Sequence, residues 1–261
     1  MGLPADATPP AADREPSASL DQHGFGVRLE WGRAGARLLV PGAAVVVVVD
    51  VLSFSTAVSI AVEHGAAVYP HRVRDATAGE RARDVGALLA NPRRDGPGPS
   101  LSPASLTALR AGDRLVLPSP NGAACSLLAA EAGATVVAGC LRNASAVARY
   151  ARSLGGPIAV VAAGELWPDG GLRPGIEDLL GAGAVVAALE ADGADLRPSP
   201  EARLAAGAFA ALRPGLAGTL AECASGRELI DRGFARDVEL ASEVDATSAV
   251  PVLVDEAFVR V

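Results

Sequence analysis

The chain has 261 residues, of which 50% are apolar and only 3% aromatic, and its formal net charge is −7. A chain of this length can bury a substantial core, either in one domain or in two lobes that share an interface. Nucleic-acid binding normally requires a basic surface, so the negative charge argues against that class of function.

The basic residues are all Arg, and the three cysteines lie far apart without a Cys-x-x-Cys pair. A bound anion must therefore be held by Arg, by backbone N–H groups or by a metal, and a thiolate zinc site is not expected. Residues 1–20 lack the pattern of a signal peptide, and the longest apolar run, at 43–49, is too short to span a bilayer. We therefore expect a cytoplasmic protein with free thiols that does not cross a membrane.

Residues 1–22 are polar and rich in Pro and Ala, which predicts a disordered leader before one domain over 23–261. Alternating polarity at 26–31 predicts a half-buried strand, and the Val run over 43–49 predicts a buried central strand that ends at Asp50. The pattern then predicts five more strands, at 67–70, 114–117, 135–138, 158–163 and 250–254. It predicts helices at 57–63, 75–90, 123–131, 144–153 and 176–191, and a largely helical segment over 198–232. Residues 91–103 are predicted to form a loop.

Apolar strand, polar turn and Ala-rich helix thus repeat along the chain. This order predicts an α/β fold with three α/β/α layers around a mostly parallel or mixed sheet. Ligands of such sheets bind beyond the carboxyl ends of the strands. Four predicted strand ends carry acids, amides, hydroxyls or Arg, namely Asp50 with Ser53, Ser55 and Thr56; Ser119, Asn121 and Gly122; Arg142, Asn143 and Ser145; and Glu165, Arg173, Glu177 and Asp178.

Asp50 is the most informative of these residues, because a carboxylate directly after five valines is costly to desolvate unless a cation or hydrogen-bond donors meet it. It could instead cap the following helix. Glu177 and Asp178 could likewise serve only the dipole of the helix that they begin. Together the three acids resemble a site for a hard cation such as Mg²⁺.

Several enzyme classes lack their motifs here. The sequence has no second Asp two residues after Asp50, no Cys-x5-Arg loop, no GxSxG elbow, no HExxH and no GxGxxG after a strand. The three histidines, His23, His64 and His71, fit no metal-binding spacing and are expected on the surface or in loops.

Five segments resemble the ComB family of Mg²⁺-dependent 2-phosphosulfolactate phosphatases. They are 48–56 (VVDVLSFST), 119–122 (SPNG), 139–145 (GCLRNAS), 163–178 and 224–229 (ASGREL), and they occur in the family's order. The resemblance implies hydrolysis of 2-phospho-3-sulfolactate to 3-sulfolactate. The family usually has Arg where this chain has Ser53 and Ala124, so two anion-binding groups are missing, although Arg142, Arg173 and Arg227 could compensate.

The resulting hypothesis assigns Mg²⁺ and the catalytic role to Asp50, Glu177 and Asp178, in a homodimer that acts on a small phosphorylated acid. The predicted substrate-binding residues are Ser53, Ser55, Thr56, Ser119, Asn121, Gly122, Arg142, Asn143 and Arg173. Two alternatives stay open. One is a protein of the same fold that binds a small anion without turnover or accepts another substrate, and the other is a scaffold that assembles through its Ala/Gly-rich helices at 179–193 and 202–212.

Overall fold

A computed structural model of the protein describes residues 20–93, 98–191 and 196–261. Over these residues, nine strands form one mixed sheet, and two short strands form a separate hairpin. The sheet contains β1 (Val27–Trp31), β2 (Val45–Val49), β3 (Ala67–His71), β4 (Leu88–Leu89), β5 (Arg114–Pro118), β6 (Thr135–Gly139), β7 (Ile158–Ala162), β10 (Pro251–Val254) and β11 (Ala257–Arg260), and the hairpin contains β8 (Glu165–Leu166) and β9 (Leu172–Arg173).

The helices connect these strands and cover both faces of the sheet. They are α1 (Gly32–Leu39), α2 (Phe54–Glu63), α3 (Ala76–Asp84), α4 (Gly122–Glu131), α5 (Ala144–Ser153), α6 (Ile176–Ala191), α7 (Pro200–Leu212), α8 (Leu216–Glu222), α9 (Ala224–Asp231) and α10 (Ala235–Ser242), with short 3-10 turns at Pro103–Leu106, Leu141–Asn143 and Arg213–Gly215.

The strand β2 shows why the sheet lies between two helical layers. Val45, Val47 and Val49 pack into one apolar cluster, together with residues of α5, α6 and α7. Val46 and Val48 pack into a second cluster, with residues of α1, α2 and α4. Because successive side chains of a strand point to opposite faces, an unbroken Val run requires a core on both sides. The predicted three-layer α/β/α architecture is confirmed.

The sheet has the order β1-β7-β2-β6-β10-β11-β3-β5-β4. The first four strands are parallel, as are the last three, and the hairpin β10–β11 pairs antiparallel with β6 on one side and with β3 on the other. Neighbouring strands rotate by roughly 20–25°, so the five steps between β2 and β5 add up to more than about 90°. This twist lets the segment after β5 reach the end of β2.

Some elements differ from those predicted. Helix α1 was not predicted, because it is short, rich in Gly and Arg, and begins at Gly32 with a φ of 58°. Helix α3 ends at Asp84 and not near residue 90, since Gly86, with a φ of 60°, stops it and β4 follows. The helix α10 and the strand β11 were not predicted in the C-terminal segment. The strands β4, β8 and β9 were also not predicted, because two residues are too few to show the alternating polarity of a strand.

Residues 1–19 of the predicted leader lie outside the described residues. Gln22 is buried, and its side-chain amide exchanges two hydrogen bonds with the backbone of Leu29 in β1, at 2.7 and 3.0 Å. One described stretch, Pro200–Glu222, is long and apolar enough to cross a membrane by length and composition alone. Core helices of soluble proteins can have the same length and composition, so this stretch is only weak evidence for a membrane-spanning helix.

Candidate functional site

Asp50 lies directly after β2, and only 6% of its surface is exposed. The backbone N–H of Phe54 donates to its Oδ1 at 3.0 Å, and the N–H of Gly122 donates to its Oδ2 at 2.9 Å. These two bonds stabilise the charged carboxylate. Burial nevertheless dominates: together with the nearby charges of Glu165 and Glu177, it raises the pKa of Asp50 to about 7. Asp50 thus has hydrogen-bond donors, and among the residues that the structure describes it forms no direct ion pair.

The hydroxyl residues after β2 hold the loop between β2 and α2 in place. Ser55 Oγ donates to Val48 O at 2.9 Å and accepts from the N–H of Asp50 at 3.0 Å. Thr56 Oγ1 donates to Val51 O at 2.7 Å. Both hydroxyls are buried and committed to the backbone. Ser55 and Thr56 therefore position Asp50, and nothing in their contacts favours the predicted role in substrate binding.

The first residue of α4, Gly122, must be a glycine. A Cβ there would lie 2.5 Å from a ring carbon of Phe54 and 2.7 Å from Asp50 Oδ2. Its N–H belongs to the free N-terminal turn of the helix, which favours a negative charge. Just before it, Asn121 Nδ2 donates to Glu165 Oε2 at 3.0 Å. The predicted residues Asn121 and Gly122 thus contact two acids of the site.

Asp178, in the first turn of α6, connects the ends of two strands. Its Oδ1 accepts from the N–H of Val51 at 2.7 Å, and its Oδ2 accepts from the N–H of Gly164 at 2.8 Å. Only 3% of Asp178 is exposed, and burial, followed by the charges of Asp50 and Glu177, raises its pKa well above the ordinary value. Asp50 and Asp178 therefore lie close together at the ends of the neighbouring strands β2 and β7.

Glu177 is equally buried, with 3% of its surface exposed, and has the simplest hydrogen bonding of the acids. Cys223 Sγ donates to its Oε2 at 3.5 Å. Burial and the charge of Glu177 raise the pKa of the Cys223 thiol to about 11. Cys223 is therefore a neutral thiol next to the acids, as expected for a free cysteine.

Glu165 is a fourth acid of the site, and the metal-binding prediction left it out. It is half-buried, accepts the bond from Asn121, and has its pKa raised chiefly by burial. The four acids Asp50, Glu165, Glu177 and Asp178 are named below as the acid cluster. Over the described residues, no three His, Cys, Asp or Glu side chains are close enough together to form a ready metal cage. The acid cluster thus concentrates carboxyl groups without forming a cage of three ligands among the described residues.

Arg173 is the predicted arginine that the structure places beside the acid cluster. It pairs with Glu165 across the β8–β9 hairpin, and its charge lowers the pKa of Glu165, against the larger effect of burial. Its Nη2 donates to Ser225 Oγ at 2.8 Å, and its guanidinium lies 5.8 Å from the ring centroid of Trp167. The segment around Ser225, quoted above for the family resemblance, thus holds Arg173 in position.

Arg142 and Asn143 lie elsewhere. Arg142 forms ion pairs with Glu243 and, at 3.3 Å, with Glu63. Glu63 is the last residue of the ten-residue α2, whose first residue contacts Asp50. An α-helix rises by about 1.5 Å per residue, so the guanidinium of Arg142 lies roughly the length of α2 away from Asp50. Asn143 is fully buried and bonds only backbone groups of residues 138, 140 and 249. Both residues hold the turn after β6 together.

Ser119 is buried, accepts weakly from the N–H of Asn121 at 3.4 Å, and stays at the edge of the site.

Ser53 is also buried, and its Oγ accepts from Nη2 of Arg93 at 2.6 Å. Arg93 was not predicted, because the two-residue strand β4 that precedes it left no pattern in the sequence and residues 91–103 were predicted as a loop. Burial lowers its pKa, whereas the charges of Asp237, Asp50 and Glu165 act in the opposite direction.

A cavity of about 360 Å³ opens next to Asn121. Arg33 and Arg37, on the first turns of α1, line it together with Trp31 and Cys125. None of the four acids is among its described lining residues, and Asn121, which also bonds Glu165, is its connection to the acid cluster.

Comparisons with known proteins identify the family to which the chain belongs. Residues 37–256 match the family described as 2-phosphosulpholactate phosphatase. A protein of Deinococcus radiodurans named "Probable 2-phosphosulfolactate phosphatase" is 33% identical over 223 residues, which cover 80% of this chain and 88% of that protein. These phosphatases hydrolyse a phosphate monoester, and the match includes every element that carries the acid cluster. The chain belongs to the 2-phosphosulfolactate phosphatase family.

Proposed function

We propose that this protein is a Mg²⁺-dependent phosphatase that hydrolyses 2-phospho-3-sulfolactate, or a closely similar phosphorylated acid, to the free hydroxy acid and phosphate. The observation that carries the proposal is the acid cluster. Three of its carboxyls have raised pKa values because they are buried next to one another. Buried carboxylates of this kind need a cation or protons to offset their charge.

The donor chemistry fits Mg²⁺, which prefers oxygen ligands, keeps several waters and is commonly held by only one or two carboxylates. A full cage of three acids is not required for such a site. Asp50 and Glu177 would hold the ion, and Asp178, whose two oxygens each accept one N–H as those of Asp50 do, would lie beside it as a further oxygen donor. Each oxygen of Asp50 already accepts one N–H and retains a second lone pair. When bound, the ion would polarise a phosphoryl oxygen and lower the pKa of a bound water.

The remaining groups have roles that follow from their contacts. Arg173 carries several N–H donors besides the one given to Ser225, and these suit the oxygens of a transferring phosphoryl group. Glu165 is half-buried and burial raises its pKa, so it holds a proton more readily than an exposed carboxyl and could exchange it with the leaving hydroxyl or the attacking water. Asn121 orients Glu165 through their 3.0 Å bond.

Phosphate release tests this proposal. The purified protein is assayed with 2-phospho-3-sulfolactate, with Mg²⁺ or with excess chelator, as wild type and as Asp50→Asn. We expect turnover that chelation abolishes and that Asp50→Asn reduces by at least about 100-fold, the usual scale for an electrostatic group in an active site. The matched control is Asp84→Asn, an exposed carboxylate on α3, which should keep wild-type activity. Turnover that is insensitive to both chelation and Asp50→Asn would refute the proposal.

A second candidate is a family member that binds a small acid without hydrolysing it, or that uses another substrate. The observation in its favour is the loss of the two family arginines at Ser53 and Ala124, since Ala124 is buried within α4 and offers no charge. Calorimetry and a phosphate-release assay, both with 2-phospho-3-sulfolactate, separate the two, because a binder gives heat of binding but releases no phosphate. The homodimer and the cytoplasmic location stay predictions, which light scattering and cell fractionation would test.

A further inference from the structure

Three arginines, Arg74, Arg93 and Arg232, line a cavity of about 270 Å³ that is distinct from the one beside Asn121. Pro118 and the backbone around 90–92 form other parts of its wall. Arg93 pairs with Asp237 at 3.6 Å and Arg232 pairs with Glu228 at 2.8 Å, so the three guanidinium groups leave an excess of about one positive charge, in a chain whose net charge is −7. Such a cavity favours an anion, which Arg recognises through paired N–H donors.

Arg93 is fixed in this cavity before any ligand arrives. Its Nη2 donates to Ser53 Oγ at 2.6 Å and to Leu101 O at 2.9 Å. The guanidinium lies 5.2 Å from the ring centroid of Phe234 and 3.6 Å from the carboxylate of Asp237, and 12% of the side chain is exposed. Its buried Nε has no hydrogen-bond partner within the described part of the chain. A guanidinium that is already ordered loses little entropy when it binds an anion.

The cavity borders both segments that hold Asp50. Ser53 directly precedes Phe54, whose N–H donates to Asp50 Oδ1. Pro118, in the cavity wall, ends β5 and is separated by three residues from Gly122, whose N–H donates to Asp50 Oδ2. A substrate with its phosphate at the acid cluster could therefore extend a second group past the loop at Ser53.

We propose that the cavity lined by Arg74, Arg93 and Arg232 binds the second acidic group of the substrate, a carboxylate or a sulfonate. This inference rests on the proposed phosphatase function and assigns the residues that recognise the second acid of its substrate. The family resemblance places an arginine where this chain has Ser53, and here a guanidinium reaches the Ser53 hydroxyl from a different segment. Arg93 is then a specificity-determining residue for that second acid.

Two esters test the subsite, 2-phospho-3-sulfolactate and p-nitrophenyl phosphate, which has no second acid. Arg93→Gln should raise KM for the first ester by about 10- to 100-fold, as expected for the loss of charge-assisted hydrogen bonds. The same variant should lose kcat/KM for p-nitrophenyl phosphate as well, but by a factor at least about tenfold smaller than for 2-phospho-3-sulfolactate. Arg93→Lys, which keeps the charge but not the fork of donors, should give an intermediate KM. The control is Arg83→Gln, an exposed arginine on α3, with wild-type values for both esters.

Equal losses for the two esters would overturn the proposal. A binding measurement separates this failure from a failure of the phosphatase function: calorimetry with 3-sulfolactate needs no turnover. We expect Arg93→Gln to weaken binding of 3-sulfolactate by at least about tenfold even if no variant releases phosphate. Unchanged affinity in folded Arg93→Gln, checked by circular dichroism, would refute the subsite alone. If Arg93→Gln does not fold, Arg232→Gln carries the same two comparisons.

Discussion

Replacing Asp50 with Asn should stabilise the metal-free protein at alkaline pH, although it removes the central acid. The pKa of Asp50 is raised from 3.8 to about 7 in the folded protein. At about 1.4 kcal/mol per pH unit, this difference corresponds to roughly 4 kcal/mol of destabilisation. Because the folded state holds the proton more tightly than the unfolded state, stability falls as the pH rises above 3.8 and reaches its minimum above about 7.

An Asn at position 50 removes this charge but introduces its own cost. Its amide oxygen can accept from only one side, so its NH₂ group would face either the N–H of Phe54 or that of Gly122, each within 3.0 Å of the present carboxylate. A buried donor left unpaired costs about 1–3 kcal/mol. The expected net stabilisation at pH 8 is therefore about 1–3 kcal/mol, or roughly 2–10 °C in Tm for a chain of this size.

Thermal unfolding at pH 5 and pH 8, in chelator, measures this effect for the wild type and for Asp50→Asn. The advantage of the variant should be largest at pH 8 and should shrink towards pH 5, where the wild-type carboxyl is protonated. The exposed variant Asp84→Asn serves as the control and should follow the wild type at both pH values. A variant that is less stable than the wild type at pH 8, or whose advantage grows towards low pH, would show that Asp50 is not a strained buried carboxyl.

Three other substitutions or reactions test separate parts of the site. Gly122→Ala should reduce turnover by at least about tenfold with little loss of secondary structure, because the added Cβ would lie 2.7 Å from Asp50 Oδ2. Wild-type kinetics in this variant would contradict the close approach of Gly122 to Asp50. Arg142→Gln should lower the free energy of unfolding by about 1–3 kcal/mol, since it removes the buried guanidinium that pairs with Glu63 and Glu243 and donates to Leu240 O. It should leave KM unchanged, and a raised KM would return Arg142 to the substrate site. The Cys223 thiol, with its pKa raised to about 11, should react with a thiol reagent at pH 8 far more slowly than glutathione, and rapid modification would place it outside the negative field of Glu177.

The central part of the fold could be predicted because its signals are local. The Val run of β2, the breakers after it and the repeated strand–helix units determine most elements and the position of Asp50 at a strand end. The hairpin β10–β11, which separates the two parallel groups, could not be predicted, since pairing between distant strands leaves no local pattern.

The site was predicted in part for the same reason. Asp50, Glu177 and Asp178 meet because β2 and β7 are neighbours and because α6 begins near their ends. The strand-end rule also selected Arg142, but Glu63 and Glu243, distant in the sequence, hold its side chain away. The rule missed Arg93, whose contact with Ser53 joins residues 40 positions apart through a loop.

Binding of Mg²⁺ to the metal-free protein tests the central claim most directly. Calorimetric titration with MgCl₂ at pH 6.5 and pH 8 should show one site whose affinity increases with pH, because the ion must displace protons from carboxyls such as Asp50, whose pKa is about 7. Asp50→Asn and Glu177→Gln should each weaken this binding by at least about tenfold, and Asp84→Asn should not. Absence of Mg²⁺ binding at either pH, or the same affinity in all the variants, would contradict a cation site in the acid cluster.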